Sequence, residues 1–329
     1  MSRYLIVGGA GYIGSHVVRA LVERGDTVVV LDNLSTGHLE AIATSGARFI
    51  PGDVCEGNGL DRLFRCQEFD CVMHFAASSL VGESVTKPLD YYANNAGGAI
   101  RLLEAMQRNG VDNFVFSSTA AVYGEPSRVP IEESCTPQPT NPYGRSKRFI
   151  EQLLGDCAKA YGLRYAALRY FNAGGACPSG EIGEDHSPET HLIPLVLQVA
   201  LGQRERIDIY GTDWPTPDGT CVRDYVHVCD LADAHLLAAD RLAAGGESVV
   251  FNLGNERGLS VREVVDLARR VTGREIPVRD APRRSGDPAR LVASSSRIRS
   301  ALGWSPRFED PGELIETAWR WHREHPHGY

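Results

Sequence analysis

Tyr4-Leu5-Ile6-Val7-Gly8-Gly9-Ala10-Gly11-Tyr12-Ile13-Gly14 decides the reading of this chain. Four β-favouring residues run into glycines at 8, 11 and 14, and an apolar helical period follows at Ile13, Val17, Ala20 and Leu21. A strand, a glycine turn and a helix in that order place free N–H groups and a helix dipole opposite an anion. The glycines permit a tight turn and close approach of the backbone to a pyrophosphate. A second strand, Thr27 to Leu31, ends at Asp32, 18 residues after Gly14. A carboxylate there accepts from a ribose 2'-hydroxyl and repels a 2'-phosphate, which favours NAD over NADP.

Outward from that unit the pattern repeats. Apolar strands are expected at Ala47 to Ile50, Cys71 to Phe75, Phe114 to Phe116 and Tyr165 to Leu168, separated by helical stretches such as Leu89 to Gln107. Strands alternating with helices predict an α/β fold, a Rossmann-type doubly wound parallel sheet. Ligands then sit at the carboxyl ends of the strands. Those ends carry Asp53-Val54, Phe75-Ala76-Ala77, Ser117-Ser118-Thr119 and Tyr170-Phe171-Asn172. After residue 172 the texture changes to Gly, Pro and acids around one apolar helix, Leu192 to Leu201. Arg223 to Val228 reads as one strand, Leu231 to Leu242 as a helix, Ser248 to Leu253 as a strand and Val261 to Val271 as an amphipathic helix. We expect a nucleotide-binding domain at 1–172 with returns near 223–253. A smaller α/β C-terminal substrate domain is expected at 173–222 and 254–329.

The stretch Asn141-Pro142-Tyr143-Gly144-Arg145-Ser146-Lys147 predicts a helix start, with Asn141 as N-cap and Pro142 at the first position. Tyr143 and Lys147 are four apart and share a face. A phenol with a pKa near ~10 is a poor base at neutral pH, and a nearby ammonium favours its phenolate. On its own, a Tyr and a Lys at this spacing are as compatible with an ordinary helix surface.

The net charge of -8 argues against nucleic acid as a partner. Eight cysteines show no C-x-x-C and read as reduced cytosolic thiols, so a cytoplasmic enzyme is expected. No apolar run reaches membrane-spanning length, which argues against a membrane partner. His186 and His191 near Glu184, Asp185 and Glu189, and the group His322, His325 and His327, lack a recognised ligand spacing. They read as polar loop and tail, and no metal is expected.

Gly8-x-x-Gly11-x-x-Gly14, Asp32-Asn33, Ser117-Ser118-Thr119, Tyr143-x-x-x-Lys147 and Tyr170-Phe171-Asn172 together resemble the extended short-chain dehydrogenase/reductases. More specific motifs resemble the UDP-glucose 4-epimerase family within them. These are Val81-Gly82-Glu83-Ser84, Pro88-Leu89-x-Tyr91-Tyr92-x-Asn94-Asn95, Gly183-Glu184-Asp185, Val222-Arg223-Asp224-Tyr225-x-His227-Val228 and Ala281-Pro282-Arg283-Arg284-x-Gly286-Asp287. The resemblance covers nearly the whole chain. It implies an isomerase that holds one NAD and interconverts UDP-glucose and UDP-galactose through a transient 4-keto sugar. The catalytic residues so implied are Tyr143 as base, Thr119 as its hydroxyl partner and Lys147, which lowers the Tyr143 pKa. NAD contacts are implied at Gly8, Gly11, Tyr12, Ile13, Gly14, Asp32, Asn33, Asp53, Val54, Phe75, Ala76, Ala77, Asn94, Ser117, Tyr143, Lys147 and Tyr170. UDP-sugar contacts are implied at Thr119, Tyr143, Phe171, Asn172, Leu192, Tyr210, Arg223, Tyr225, Arg284 and Asp287. Relatives commonly form homodimers through the helices Leu89 to Gln107 and Pro142 to Lys159.

Sugar-nucleotide 4,6-dehydratases share the Tyr/Lys pair but carry Asp-Glu after the catalytic Thr. Here Ala120-Ala121 follows Thr119, and alanine can neither donate nor accept a proton. A non-catalytic NAD sensor on the same fold would have no need of Tyr143, Lys147 and Thr119 together. Two departures from the family affect binding. Ser78 or Ser79 stands where some relatives place a Lys on the NAD pyrophosphate, implying weaker retention or backbone contacts. Leu291 stands where a bulky Tyr goes with plain hexoses and a small residue admits N-acetylhexosamines, so both remain open, as do a uronic acid or a pentose.

Overall fold

The computed structural model describes residues 1–284 and 287–329, so Gly286 of the Ala281–Asp287 motif lies outside the described residues. The glycine turn behaves as its sequence requires. Strand β1 (Arg3–Val7) enters it and helix α1 (Tyr12–Glu23) leaves it. Around β1 assemble β2 (Thr27–Asp32), β3 (Arg48–Pro51), β4 (Cys71–His74), β5 (Asn113–Thr119) and β6 (Arg164–Tyr170), with Val249–Leu253 as the seventh strand. The spatial order is Val249–Leu253, β6, β5, β4, β1, β2, β3, and every neighbouring pair is parallel. Chain order reverses between β1 and β4, so a crevice opens at their carboxyl ends.

Both faces of this sheet are covered, as its near-continuous apolar strands demand. On one face Val17, Val18 and Leu21 of α1 meet Leu231, Ala234 and Ala238 of the helix Val228–Ala243. On the other, Leu102 and Met106 meet Ile150 and Leu154 of the helix Pro142–Tyr161. A separate core joins the helices Leu192–Ala200, Val261–Thr272 and Pro311–Glu324 through Val196, Val264 and Leu314. Ile298 and Trp304 pack into the first core, although they fall inside the 254–329 stretch that sequence assigns to the smaller domain.

Two elements differ from the sequence reading. Leu89 to Gln107 is not one α-helix: Pro88–Tyr91 is α-helical, Tyr92–Gly97 is a π-helical turn and Gly98–Arg108 is α-helical again. The wide turn carries Asn95, whose side chain accepts from the Ser78 N–H at 2.8 Å and donates to the Ser78 carbonyl at 3.0 Å and the Ser146 hydroxyl at 3.1 Å. It thus ties the Ser78 loop to the Tyr143 helix, and π turns often mark such functional junctions.

Arg223 to Val228 is likewise not one strand. Val222–Arg223 pairs with Leu259–Ser260 and Arg290–Leu291, whereas Tyr225–His227 pairs with Asn172–Gly174. Asp224 is the break. Its fully buried carboxylate accepts N–H bonds from Asn255 (2.8 Å), Glu256 (3.1 Å) and Ala293 (3.0 Å). Burial raises its pKa to about 6 against the pull of those N–H groups.

Candidate active site

A cleft of about 510 Å³ opens at the crevice between β1 and β4 and runs to the second core. Its floor begins at the glycine turn. Gly8 has φ +81°, and a Cβ there would sit 2.4 Å from the Ala76 nitrogen; one at Gly14 would sit 2.2 Å from the Gly8 carbonyl oxygen. Gly11, the N-cap of α1, makes no side-chain cap, so the first N–H groups of the helix face the cleft without one. A backbone cradle at a helix N-terminus is what a nucleotide pyrophosphate requires, and the residues present therefore fit NAD.

The remaining cofactor candidates separate by position. Tyr12, Ile13, Phe75, Ala77, Ser117 and Tyr170 line the cleft. Asp32 lies beside the turn at the end of β2, with its carboxylate accepting from the Ala10 N–H and the Leu34 N–H, each at 2.9 Å. Each oxygen keeps a further lone pair. Asn33 donates to Asp53 at 3.0 Å across the ends of β2 and β3. Val54 is a core side chain, and Ala76 packs against the same core. Asn94 donates to the Ser78 hydroxyl at 3.3 Å.

Asn141 caps the next helix as its sequence predicts, accepting from the Gly144 N–H at 2.8 Å. This start aims Tyr143 and Lys147 into the cleft, where Thr119 arrives from the end of β5. Burial raises the Tyr143 phenol, and the Thr119 hydroxyl facing it pulls the other way. The Lys147 ammonium donates to the Ser117 carbonyl oxygen at 2.8 Å and lies 4.9 Å from the Phe116 ring centre. Burial brings Lys147 down to about 7, with Glu151 opposing. Ser117 and Tyr170 share a short hydroxyl contact next to it.

Below this group lies a polar network that sequence reasoning did not pick out. Glu151 accepts from the Ser118 hydroxyl and from Arg169 Nε and Nη2, all at 2.7 Å. Arg169 also donates to the Tyr123 hydroxyl at 2.8 Å, which donates to Asn252 at 2.7 Å. The partners come from five separate segments, so no local pattern announces them.

At the far end Phe171, Asn172, Leu192, Arg223, Tyr225, Asp287 and Leu291 line the cleft. Arg223 and Asp287 approach to 3.8 Å. Tyr210 and Arg284 stack 3.8 Å apart but do not line it. Glu184, His186 and His191 do line it and were read from sequence as ordinary loop. Contacts with the two carboxylates Glu184 and Glu189 outweigh burial and raise His186 to about 9 and His191 to about 10.

Residues 4–254 match the NAD dependent epimerase/dehydratase family. The chain belongs to this family. It is 56% identical over 325 residues to the UDP-glucose 4-epimerase of Halalkalibacterium halodurans, covering 99% of this chain and 97% of that one. Among solved structures, the UDP-glucose 4-epimerase of Brucella ovis in complex with NAD superimposes with a TM-score of 0.94 at 47% identity, over 97% of this chain and 98% of that chain. The Bifidobacterium longum enzyme in complex with NAD+ and UDP gives 0.95 at 38% identity, over 100% of both chains. Such agreement over full length extends the shared architecture to the second core and the loops over the cleft.

Proposed function

We propose that this protein is an NAD-dependent isomerase that interconverts UDP-hexoses differing at C4, UDP-glucose and UDP-galactose, through a 4-keto sugar. One observation carries the reading: Tyr143 and Thr119 face one another on the wall of a cleft that begins at the Gly8–Gly14 turn. The full-length likeness to UDP-glucose 4-epimerases supports it.

NAD, held at the glycine turn, supplies the group that takes up a hydride and returns it. Tyr143 takes the proton of the sugar 4-hydroxyl and gives it back on the way to either epimer. Thr119 bridges the 4-oxygen and the phenol. Lys147, which donates to the Ser117 carbonyl oxygen at the end of β5, would help hold the cofactor ribose. Arg223 pairs with the UDP diphosphate, because a guanidinium meets phosphate bidentately. Arg284 serves the same anion from its stack on Tyr210, and Asp287 meets the uridine ribose. Ala120-Ala121 leaves no acid to expel water from the sugar, which disfavours dehydration.

We also assign residues 1–172 and 223–253 to the cofactor domain, together with 296–304, and the remainder to the UDP-sugar domain. Leu89 (81% exposed) and Phe149 (44% exposed), with Val85, Tyr92 and Ile100, leave the helices 81–108 and 142–161 with an apolar outer face. It supports a homodimer through a four-helix contact. Eight free thiols support a reducing cytoplasm.

The test is an assay of the purified protein, without added NAD, on UDP-galactose and UDP-N-acetylgalactosamine. Turnover is expected from resident cofactor. Protein shown to hold NAD that converts neither sugar, nor any other 4-epimer pair, overturns the reading.

A further inference from the structure

Glu184, His186, Glu189 and His191, on one loop at the wall of the cleft, each bring a ligand atom to within 4.8 Å of the others. His186 Nδ1 lies 3.4 Å from Glu184 Oε1 and 3.5 Å from Glu189 Oε2. His191 Nδ1 lies 2.9 Å from the same Glu184 oxygen and 3.1 Å from Glu189 Oε1. We propose that these four side chains bind one divalent transition-metal ion of the zinc class.

Zinc bonds of roughly 2.0–2.2 Å to nitrogen and oxygen put the corners of a tetrahedron about 3.3–3.6 Å apart. With Glu189 binding through Oε2, three of the six edges are given, at 3.4, 3.5 and 2.9 Å. The shortest must open by about 0.4–0.7 Å. An ion-pair cluster accounts for His191, whose Nδ1 hydrogen-bonds Glu189 Oε1 at 3.1 Å, but less well for His186. Each Nδ1 carries at most one hydrogen, yet each faces two carboxylates. His186 Nδ1 is shielded from solvent and has no hydrogen bond of acceptable geometry. A metal ion needs only the lone pair of that nitrogen. Two imidazoles with two carboxylates suit zinc or its neighbours, whereas calcium and magnesium favour all-oxygen sets. Glu189 Oε1 accepts the N–H groups of Thr190 at 2.6 Å and His191 at 2.7 Å, which orients the carboxylate and leaves Oε2 for an ion. Outer partners of this kind hold metal-binding carboxylates in place.

The site would act on the cleft through the chain. Glu184, His186 and His191 line the cleft, and Leu192, next in sequence, starts a helix whose first turn lines it too. A bound ion would fix the conformation of this loop ahead of Leu192, and the reaction itself would not use it.

The test is a titration of the NAD-containing enzyme, stripped with chelator and desalted, with Co²⁺. One equivalent per chain is expected, with the visible absorption of four-coordinate cobalt, displaced by Zn²⁺. His186→Asn and His191→Asn should each cost more than the roughly 10- to 100-fold that loss of an outer partner costs. Glu189→Gln keeps an acceptor for the two N–H groups and should still weaken binding. Retained NAD and an unchanged circular dichroism spectrum show that each variant is folded. KM for the UDP-sugar should fall on metal addition in the wild type and not in the folded variants. Absence of stoichiometric Co²⁺, or binding that survives in a folded His186→Asn/His191→Asn protein, overturns the proposal in favour of an ion-pair cluster. Binding lost instead on replacing His325 and His327 overturns it as well.

Discussion

Lys147 donates to the Ser117 carbonyl oxygen at 2.8 Å, so one of the three N–H donors of the ammonium that sequence pairs with Tyr143 is fixed on the neighbouring strand. Its place in the cleft is held by this bond and by the Phe116 ring, in surroundings dry enough to bring it to about 7. A buried amine there is a cost to folding.

Lys147→Met should therefore separate activity from stability. Turnover is expected to fall by about 10²- to 10⁴-fold, the usual range for a group that assists proton transfer. The folded pKa, about 7, is below the ordinary 10.5, so the unfolded chain binds the extra proton between those values. Wild-type stability thus gains from this group as pH rises through that window, and it loses as pH falls toward 7. Urea unfolding at pH 7 and pH 9.5 should show a smaller pH dependence in the variant. An unchanged dependence would remove Lys147 as its source.

Thr119 is the group that pulls the Tyr143 phenol down. In Thr119→Val burial acts unopposed, and the alkaline phenolate becomes harder to reach. The acid limb of the kcat/KM profile should move to higher pH, while Thr119→Ser should keep the wild-type profile. Tyr143→Phe should lose about 10²- to 10⁴-fold at every pH and keep its NAD. Superimposable profiles for the Val variant and the wild type would separate Thr119 from the base.

Acid should weaken the fold through histidines outside the chemistry. Burial brings His74, lying over Phe116, to about 3, and His235, beside Phe75, to about 4. Both folded values lie below the ordinary 6.5, so the unfolded state takes up protons first. Their stabilising contribution is complete above about 6.5 and is lost as pH falls from there. His74→Phe should flatten the loss of unfolding midpoint between pH 7 and 5. A variant as acid-sensitive as the wild type would exclude His74.

Arg169→Met leaves the Glu151 carboxylate buried with the Ser118 hydroxyl and Arg148 as its remaining side-chain partners. Breaking one side of a buried pair costs about 3–5 kcal/mol. Glu151→Gln/Arg169→Met should recover part of that, and a double-mutant cycle in urea gives the coupling. Strict additivity would mean that the two residues do not act as a pair.

Arg284→Ala removes the guanidinium stacked on Tyr210. KM for UDP-sugar should rise with NAD content unchanged. An unchanged KM would leave Arg223, on the cleft wall, as the arginine that serves the diphosphate.

What local sequence settles here is whatever is carried by short spacings. The Gly8, Gly11 and Gly14 turn, the acid at Asp32, the Asn141 cap and the Tyr143/Lys147 face each depend on a few consecutive residues whose backbone has one economical conformation. The alternation of apolar strands and helices identifies the parallel sheet for the same reason. The Arg223–Val228 reading failed because a short run with Tyr225, Val226 and Val228 reads as a strand and cannot reveal a break made by N–H groups from residues 255, 256 and 293. The helix 89–107 concealed its π turn because hydrophobic period barely changes over one wide turn.

Only the tertiary structure decided the partners. Lys147 turns to Ser117, Glu151 meets Arg169, and Ser118 joins them from another strand. Glu184 and His186 are two apart, as are Glu189 and His191, but no local spacing shows that the loop brings all four ligand atoms within 4.8 Å of one another. A buried charge or polar group is stabilised by whichever partner the packed chain brings within about 3 Å, and that choice is made by long-range contacts. Short spacings marked the glycine turn and the Tyr143/Lys147 face as candidates, whereas the Glu151–Arg169 pair and the meeting of Glu184 with His186 and His191 were determined by folding.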